Sequence, residues 1–369
     1  QVIGMQDDEV ENFFLKRVHH LENENETGRL SNHQALAGLA AYNVFCITGD
    51  DKARKTAEDR VALTLSWQDP NEGWYQEYEG ADPGYHTCTI DFLAKYLKKR
   101  NARGEEADHT VLQSLIKAVD FSWYFMHPDG SYGGEYGSRN TYHFYPHGFE
   151  LMAPHTEKAG QIADAFLRSA DLDKRYHNDD DRMTAHYVYN FMQAWEDYHP
   201  ERPNPINESK ACTNGKWMPN AKIFVNWNTS ESGHIQNYLI TNQSKGGVLK
   251  IFDSKGCVAS DTGLIGELTD GTVVVSHLVQ KDSKFTENFD SNLSTLEVQG
   301  DFCIRKANGM TVFKQLLLRL WLVTIGRFNA NLTRSIVQKI AITGKPKTSY
   351  RFKRVISVSS KEVKVTDFI

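Results

Sequence analysis

The sequence predicts an α+β protein of two parts, an array of helical hairpins of toroid type followed by an antiparallel β-sandwich. Three observations predict this fold. Apolar residues recur at helical spacing up to about residue 197, and short β-branched segments replace them after residue 220. Two loops of similar composition lie between the predicted helices, as expected for repeated units. A chain of 369 residues is long enough for two such domains.

Apolar stripes predict the helices of the first part, which we place at residues 1–197. Each stripe repeats every three or four residues, which is the spacing of one helix face. The stripes are Leu36, Ala40 and Val44; Ala53, Ala57, Val61 and Leu65; Ile90, Leu93, Ala94 and Leu97; Leu112, Leu115, Ile116 and Val119; Ile162, Ala163 and Phe166; and Val188, Met192 and Trp195.

The second part has a different pattern. Residues 198–220 are rich in Pro and Asn and lack periodicity, which predicts a linker. Residues 221–369 hold short β-branched runs such as "KIFVNW", "NYLITN" and "GTVVVSH", which predict the strands of a β-sandwich. Residues 312–343 interrupt these runs with an amphipathic stretch, and we predict a helix packed on the sheets there.

Charge is unevenly distributed along the chain. Residues 303–369 hold 14 Lys and Arg against 2 Asp and Glu, whereas the rest of the chain holds 28 against 45. We expect the basic end to contact an acidic polymer or, through residues 312–343, a membrane surface, or else to pair with the acidic remainder of the chain. The most apolar run, 316–328, is short and contains two Arg, so it is not expected to span a bilayer.

Cysteine usage excludes two classes of protein. The five Cys are an odd number and no two form a CxxC pair, which argues against a disulfide scaffold and against a thiolate zinc site. We predict no cofactor, no metal and no nucleic-acid partner. The sequence does not indicate an oligomeric state.

Two loops carry most of the candidate binding residues. Residues 73–87, "GWYQEYEGADPGYHT", are too rich in Gly for a helix, yet they hold aromatic and ionisable side chains that a plain connection does not need. Residues 130–143, "GSYGGEYGSRNTYH", have the same build. The separation from Tyr75 to His86 is 11 residues, as is that from Tyr132 to His143. The candidate substrate-binding residues are Trp74, Glu77, Tyr78, His86, Arg139, Tyr142, His143 and His147.

These residues also have structural interpretations. The Tyr side chains are equally well explained as core aromatics, and the His side chains as loop residues that bond to the backbone. Glu77 and Glu135 are alternatively solvated, or paired with Arg139.

The tetrapeptide "SNHQ" at 31–34 predicts a helix start. Ser31 and Gln34 fit a capping box, with Ser31 as the N-cap. Asn32 and His33 would then lie in the first helical turn, where backbone N–H groups favour an anion.

The candidate residues include Asn, His and Tyr, but the sequence has no signature of paired catalytic carboxylates. This combination of residue types is suited to β-elimination on a uronate sugar. The carboxylate next to C5 must be neutralised or hydrogen-bonded if an enolate-like transition state is to form, and Asn32 and His33 suit that role. A Tyr or His then removes the C5 proton, and a Tyr can return one to the leaving oxygen. A Tyr base would need a nearby cation that lowers its pKa from ~10.

In these motifs and their order, the sequence resembles the heparinase II/III-like polysaccharide lyases, a group that includes oligoalginate lyases. The resemblance implies an N-terminal incomplete (α/α) toroid followed by a C-terminal antiparallel β-sandwich. It implies that Asn32 and His33 neutralise the uronate and that Tyr85 acts as base and acid. It also implies a further catalytic His from the sheet domain, for which His234 is the first choice and His277 the second.

The resemblance extends to partner, cofactor and location. It implies an acidic polysaccharide as substrate and a periplasmic or secreted bacterial location, while the sequence leaves the cytoplasm open. Some members hold a structural zinc in the sheet domain, but the sequence shows no clear ligand set for one. Only residues 8–24 are available for a helix before the Asn-His pair, where members have several, so the ring is incomplete or the chain is a fragment.

Two other functions remain open. A toroid glycoside hydrolase would use two carboxylates, for which Glu77 and Glu135 are candidates, and these would have to face each other at roughly 5–10 Å. A non-catalytic glycan-binding protein of exopolysaccharide production would use the aromatic loops only to hold sugar.

Overall fold

The structure is a computed structural model that describes most of the chain. The described residues are 7–23, 29–171, 181–211, 215–229, 235–253, 255–280, 283–290, 293–305, 311–326, 328, 332–333, 335–336, 346–359 and 362–369. They form two compact units. The first contains the described residues within 1–23, 29–242 and 249–261, and the second those within 243–248 and 262–369.

The first unit begins with helices. The described ones are α1 (Asp7–Asn23), α2 (Ser31–Thr48), α3 (Asp51–Ser66), α4 (Pro83–Ala102), α5 (His109–Trp123), α6 (His147–Met152), α7 (Glu157–Asp171), α8 (Asp181–Glu196) and α9 (Ile206–Ala211). The apolar stripes predict α2, α3, α4, α5, α7 and α8, whereas α6 has no predicted stripe and α9 lies within the predicted linker. The hairpin of α2 and α3 shows how the sequence joins them. Gly49 ends α2 at φ 72°, which favours glycine, and the Asp50 side chain accepts a hydrogen bond from Ala53 N at 2.7 Å to begin α3.

The start of α4 differs from the sequence prediction. We predict a loop over residues 73–87, but the loop ends at Asp82 and α4 begins at Pro83, so Tyr85 and His86 lie in its first turn. The Asp82 side chain accepts from Tyr85 N at 3.1 Å, and Pro83 occupies the first helical position, where its missing N–H costs nothing. The next residue, Gly84, has no space for a side chain, because a Cβ there would lie 2.1 Å from Thr141 Oγ1.

The start of α2 also differs in detail. The predicted capping box is wrong, because the helix begins at Ser31 and the preceding Leu30 gives no side-chain cap. The Ser31 hydroxyl instead donates to Gln76 O at 2.8 Å, and Gln34 accepts from Arg60 at 2.6 Å. A carboxylate from a distant loop, that of Glu77, takes the capping role by accepting from Asn32 N at 2.8 Å.

A five-stranded sheet completes the first unit. Its strands run in the order β1 (Lys216–Met218), β2 (Ile223–Thr229), β3 (Ile235–Asn242), β4 (Val248–Asp253) and β5 (Gly256–Asp261), each beside its sequence neighbour. The sheet contacts the helical region through buried polar groups. Asn242 Nδ2 donates to Tyr136 O at 2.6 Å, and the Tyr238 hydroxyl donates to Tyr124 O.

The second unit is built on an antiparallel sheet. Its strands are β6 (Ile265–Glu267), β7 (Val273–Val275), β8 (Lys284–Phe289), β9 (Leu293–Ile304), β10 (Lys347–Ser359) and β11 (Val363–Phe368), in the order β11-β10-β9-β7-β6 with β8 also paired to β9. The core of the unit contains Val274, Val298, Phe302 and Phe352. The prediction of N-terminal helices followed by antiparallel sheets is confirmed. The predicted domain boundaries remain a prediction, and the compact units group the first sheet with the helices.

A tenth helix, α10 (Val312–Val323), lies where the sequence predicts one. We predict that it packs on the sheets, but none of its residues is buried. Most of its apolar side chains are instead exposed to solvent, Leu320 by 62%, while Leu318 and Trp321 are half-buried. In the part of the chain that the structure describes, no helix is both long enough and apolar enough to cross a membrane.

Candidate active site

The first element of the candidate site is a hydrogen-bonded pair at the start of α2. Asn32 donates to both oxygens of Glu77, from its backbone N at 2.8 Å and from its side-chain Nδ2 at 2.7 Å. Glu77 is fully buried, and Asn32 is 7% exposed. The carboxylate therefore fixes the orientation of the Asn32 amide, whose second N–H has no hydrogen-bond acceptor among the described residues.

Asp82 joins the second candidate loop to the start of α4. Besides capping the helix at Tyr85 N, its carboxylate accepts from Arg139 N at 2.7 Å and from the Thr141 hydroxyl. Gly137 packs against this carboxylate, since a Cβ there would lie 2.7 Å from Asp82 Oδ2. Asp82 thus brings the loop after α5 against the helix turn that carries Tyr85.

Tyr85 and His143 form an aromatic pair across this junction. Their ring centroids are 5.4 Å apart, and both side chains are half-buried. Burial raises the pKa of Tyr85, and the charge of Arg139 only partly offsets that effect. Burial lowers the pKa of His143, although Asp82 acts in the opposite direction. At neutral pH the pair is therefore a protonated phenol beside a neutral imidazole.

The two ring nitrogens of His143 have different surroundings. His143 Nδ1 is hydrogen-bonded to the Tyr187 hydroxyl of α8, so the imidazole is held at one edge and its Nε2 is the nitrogen left for a ligand. The Tyr85 hydroxyl forms no hydrogen bond with any described residue. The arrangement therefore offers one hydroxyl and one imidazole nitrogen within reach of the same ligand.

Arg139 supplies a cation beside this pair. Its guanidinium carbon lies 4.5 Å from the centroid of the Tyr78 ring, and its buried Nε has no hydrogen-bond partner in the described structure. Stacking on an aromatic face leaves the in-plane N–H donors of an Arg available, and these donors suit a carboxylate.

Glu135 and Tyr142 of the same loop form a triad with Lys250 of β4. The Tyr142 hydroxyl donates to Glu135 and accepts from Lys250 Nζ at 3.0 Å, and Lys250 pairs with Glu135 at 2.6 Å. Burial alone would raise the pKa of Glu135, but the hydrogen bonds from Lys250 and Tyr142 outweigh it and hold that pKa below its ordinary value. Glu135 is therefore ionised and paired.

Four of the candidate binding residues lie in the interior, namely Glu77, Trp74, His86 and His147. Trp74 is 8% exposed and donates from Nε1 to Glu72 at 3.0 Å. His86 is fully buried between two backbone groups, since its Nδ1 accepts from Tyr75 N at 3.3 Å and its Nε2 donates to Ala118 O at 2.9 Å. This is the backbone-bonded arrangement that the sequence leaves open as an alternative, and we do not include Trp74 or His86 in the proposed site.

His147 is also buried. It lies at the start of α6, where its Nε2 bonds to Asp197 at 2.6 Å and its Nδ1 faces Asp91 at 3.8 Å. Burial lowers the pKa of His147 even though Asp197 acts in the opposite direction. The structure therefore does not bring His147 to the pair of Tyr85 and His143.

The remaining predicted catalytic residues are His33 and a His from the sheet region. His33 is exposed in the first turn of α2, next to Asn32. His234 lies outside the described residues. His277, the second choice, lies in the second unit two residues after the end of β7, and burial lowers its pKa.

Sequence reasoning missed three residues of this region. Asp82 had a signal, because Asp-Pro-Gly before an apolar stripe is a typical helix start. Lys250 and Tyr187 had none, because each meets its partner only after segments distant in sequence have packed together. Across the described ranges, no group of three or more His, Cys, Asp or Glu is placed to hold a metal ion.

No family model matches the chain, and no curated protein matches it either. Among solved structures, the chain resembles a heparinase III with methylated lysines, at 13% identity and a TM-score of 0.50 over 96% of this chain and 47% of that one. It also resembles a mutant of the heparan sulfate lyase HepC from Pedobacter heparinus, at 12% identity and a TM-score of 0.47 over 97% of this chain and 48% of that one.

The chain thus spans about half the length of the solved structures that it matches. At these identities the likeness concerns the fold alone. The predicted fold class, an α toroid followed by antiparallel β-sheets, is confirmed at that level.

Proposed function

We propose that the protein is a polysaccharide lyase that cleaves a uronic-acid-containing polysaccharide by β-elimination. The observation that carries the proposal is the grouping of Tyr85, His143 and Arg139 at the start of α4. The heparinase-like fold supports the reaction class by analogy. A polysaccharide substrate is consistent with a periplasmic or secreted location.

Each group has a role in the elimination. The Arg139 guanidinium, with Asn32 and His33, binds the uronate carboxylate and stabilises the charge that develops when the C5–H bond breaks. Neutral His143 accepts that proton at Nε2, because its lowered pKa keeps it unprotonated. The electron pair forms the C4–C5 double bond, the C4–O bond breaks, and the protonated Tyr85 hydroxyl donates a proton to the leaving oxygen.

This assignment changes the role that the resemblance implies for Tyr85. A Tyr base requires a lowered pKa, whereas burial of Tyr85 raises it despite Arg139. A phenol with a raised pKa is suited to be the acid, and the neighbouring imidazole is suited to be the base. We therefore propose His143 as base and Tyr85 as acid.

The hydrolase alternative gains no support from the two carboxylates. Glu77 is fully buried and both its oxygens accept from Asn32, so it is a structural acceptor of α2. Glu135 is held ionised by Lys250 and Tyr142, which does not suit a general acid.

The test is the ultraviolet absorbance of the unsaturated product. Purified protein is incubated with alginate, glucuronan, heparan-type glycans and bacterial exopolysaccharides, and the C4–C5 double bond is followed with time. We expect Tyr85→Phe and His143→Ala each to lower kcat by roughly 10²- to 10⁴-fold, since each removes a proton-transfer group. Arg139→Ala should mainly raise KM and lower kcat/KM, because it removes carboxylate binding.

Tyr189→Phe is the matched control, since it removes a hydroxyl from an exposed Tyr of α8 and should leave the rate unchanged. Product formation that survives both Tyr85→Phe and His143→Ala would refute the assigned roles. New reducing ends without ultraviolet absorbance would show hydrolysis and refute the elimination.

A further inference from the structure

Helix α10 presents a continuous apolar face to solvent. Six side chains that recur every three or four residues form it, and each is exposed by 50% or more. The face consists of Val312, Phe313, Leu316, Leu317, Leu320 and Val323. A helix of this length extends only about 18 Å, so the face is a flat patch rather than a bilayer-spanning segment.

Helix α10 has a side-chain cap at its start, and one of its sides is partly covered. The Thr311 side chain accepts from Lys314 N at 3.3 Å and begins the helix. On the opposite side, Leu318 and Trp321 are half-buried, and Trp321 Nε1 donates to Thr333 at 2.9 Å. The six-residue apolar face therefore lies on the more exposed side of α10.

The charged residues of α10 are all positive. Lys314 and Arg319 are exposed on α10, and neither forms an ion pair with a described residue. Residues 302–361 contain no Asp or Glu, while residues 303–369 contain 14 Lys and Arg. An apolar face flanked by cations is the pattern of a helix that lies in the headgroup region of an anionic bilayer.

We propose that α10 docks this protein onto an anionic phospholipid surface, with the apolar face inserted among the acyl chains and Lys314 and Arg319 at the headgroups. The charge argues against a second copy of the chain as occupant, because two such helices would oppose equal positive charges. An anionic glycan would neutralise the cations but would leave the apolar face in water. A phospholipid surface satisfies both features.

The experiment is co-sedimentation of the whole protein with vesicles. One set contains phosphatidylglycerol and phosphatidylcholine, and the other contains phosphatidylcholine alone. We expect binding to the anionic set, binding at least tenfold weaker to the neutral set, and a decrease with added salt. The Lys314→Gln/Arg319→Gln variant should bind the anionic set several-fold more weakly and with less dependence on salt.

The apolar contribution is tested by Leu316→Ala/Leu320→Ala, which shortens two exposed side chains while keeping good helix formers. We expect it to lower vesicle binding about tenfold or more. The matched control is Val258→Ala/Ile265→Ala, because these residues are exposed by 57% and 62% against 58% and 62% for the α10 pair. Far-ultraviolet circular dichroism checks that both variants are folded.

Three results would overturn the proposal. The first is the absence of binding to either vesicle set. The second is vesicle binding that the α10 variants do not change. The third is light scattering that shows a wild-type dimer and a monomeric Leu316→Ala/Leu320→Ala variant, which would assign the face to a second copy.

Discussion

At the residue scale, His86 couples the stability of the first unit to pH. It is fully buried, with both ring nitrogens bonded to backbone groups in the neutral state. Burial lowers its pKa to about 4, and the hydrogen bond to Ala118 O offsets this only in part. Because the unfolded chain has a His pKa of roughly 6.5, the unfolded state binds the proton more readily.

We predict that this difference destabilises the fold as the pH decreases. The contribution of neutral His86 is fully present above about pH 6.5 and is lost as the pH falls towards its folded pKa, for a total of about 3 kcal/mol. In His86→Gln, which cannot gain that proton, the free energy of unfolding should decrease less steeply with acidification. Urea unfolding at a series of pH values measures both slopes.

Wild type and His86→Gln are compared by the slope of the free energy of unfolding against pH, because other groups also titrate. His127 is buried as well, and burial lowers its pKa, so both proteins retain part of the pH dependence. Parallel curves for wild type and His86→Gln would contradict the prediction. A constant offset between the curves reflects the lost hydrogen bonds and has no bearing on it.

The residue scale also shows what the sequence can predict about the site. Residue types and spacing single out Tyr85, Arg139 and His143 as candidates, and the structure places the rings of Tyr85 and His143 in contact. The partner of Asn32 was not predictable, because Glu77 lies 45 residues away and meets it only when the loop crosses the start of α2. Burial of His86 was one of two open interpretations, because its acceptor Ala118 O lies 32 residues away and the local sequence does not show it.

At the element scale, the start of α4 depends on Asp82. Its buried carboxylate accepts from Tyr85 N, Arg139 N and the Thr141 hydroxyl, whereas an ordinary N-cap serves its own helix alone. Asp50 is such an ordinary cap, with Ala53 N as the donor that it accepts from.

We predict that Asp82→Ala costs more stability than Asp50→Ala. Loss of an N-cap costs about 1 kcal/mol, and the two further donors left without an acceptor bring the cost at Asp82 to about 3 kcal/mol. Chemical denaturation of the two variants measures the difference. Equal costs would mean that water replaces Asp82 at the loop donors and that the loop is positioned by other contacts.

The start of α4 also shows why the predicted loop through residue 87 was wrong. Gly content suggested a loop through residue 87, but Gly84 occurs because Thr141 leaves no space for a Cβ, which is a packing requirement invisible in the local sequence. The prediction of a packed α10 failed for the related reason that amphipathicity predicts an apolar face without specifying its partner.

At the scale of the whole molecule, periodicity predicted which elements form but not how they group. Helical and strand periods depend on local spacing, so the order of helices and sheets was predictable. Grouping depends on contacts between distant segments. Lys210 of α9, for example, donates to Met126 O at 2.5 Å and to the Tyr238 hydroxyl of β3 at 3.1 Å. Such contacts place the first sheet in one compact unit with the helices.

Glu72 provides a test of this grouping. Its buried carboxylate accepts from Trp74 Nε1 at 3.0 Å on the helical side, and from Asn220 N at 2.7 Å and Ala221 N at 2.9 Å just before β2. Glu72→Ala leaves these donors without their acceptor, which should lower the free energy of unfolding by about 2–4 kcal/mol. If helices and first sheet form one cooperative unit, both should lose that stability together.

Hydrogen exchange of backbone amides measures this effect element by element. In Glu72→Ala we expect the opening free energies of α4, α5, β2 and β3 to decrease by the same amount, while those of β9 and β10 stay at their wild-type values. Glu267→Ala, at a Glu of β6 in the second unit, is the control and should leave α4 and β2 unchanged. A decrease in opening free energy that is confined to β2 and β3 would mean that the sheet opens without the helices and is not part of their core. The boundary between cooperative units would then lie at the predicted linker, residues 198–220.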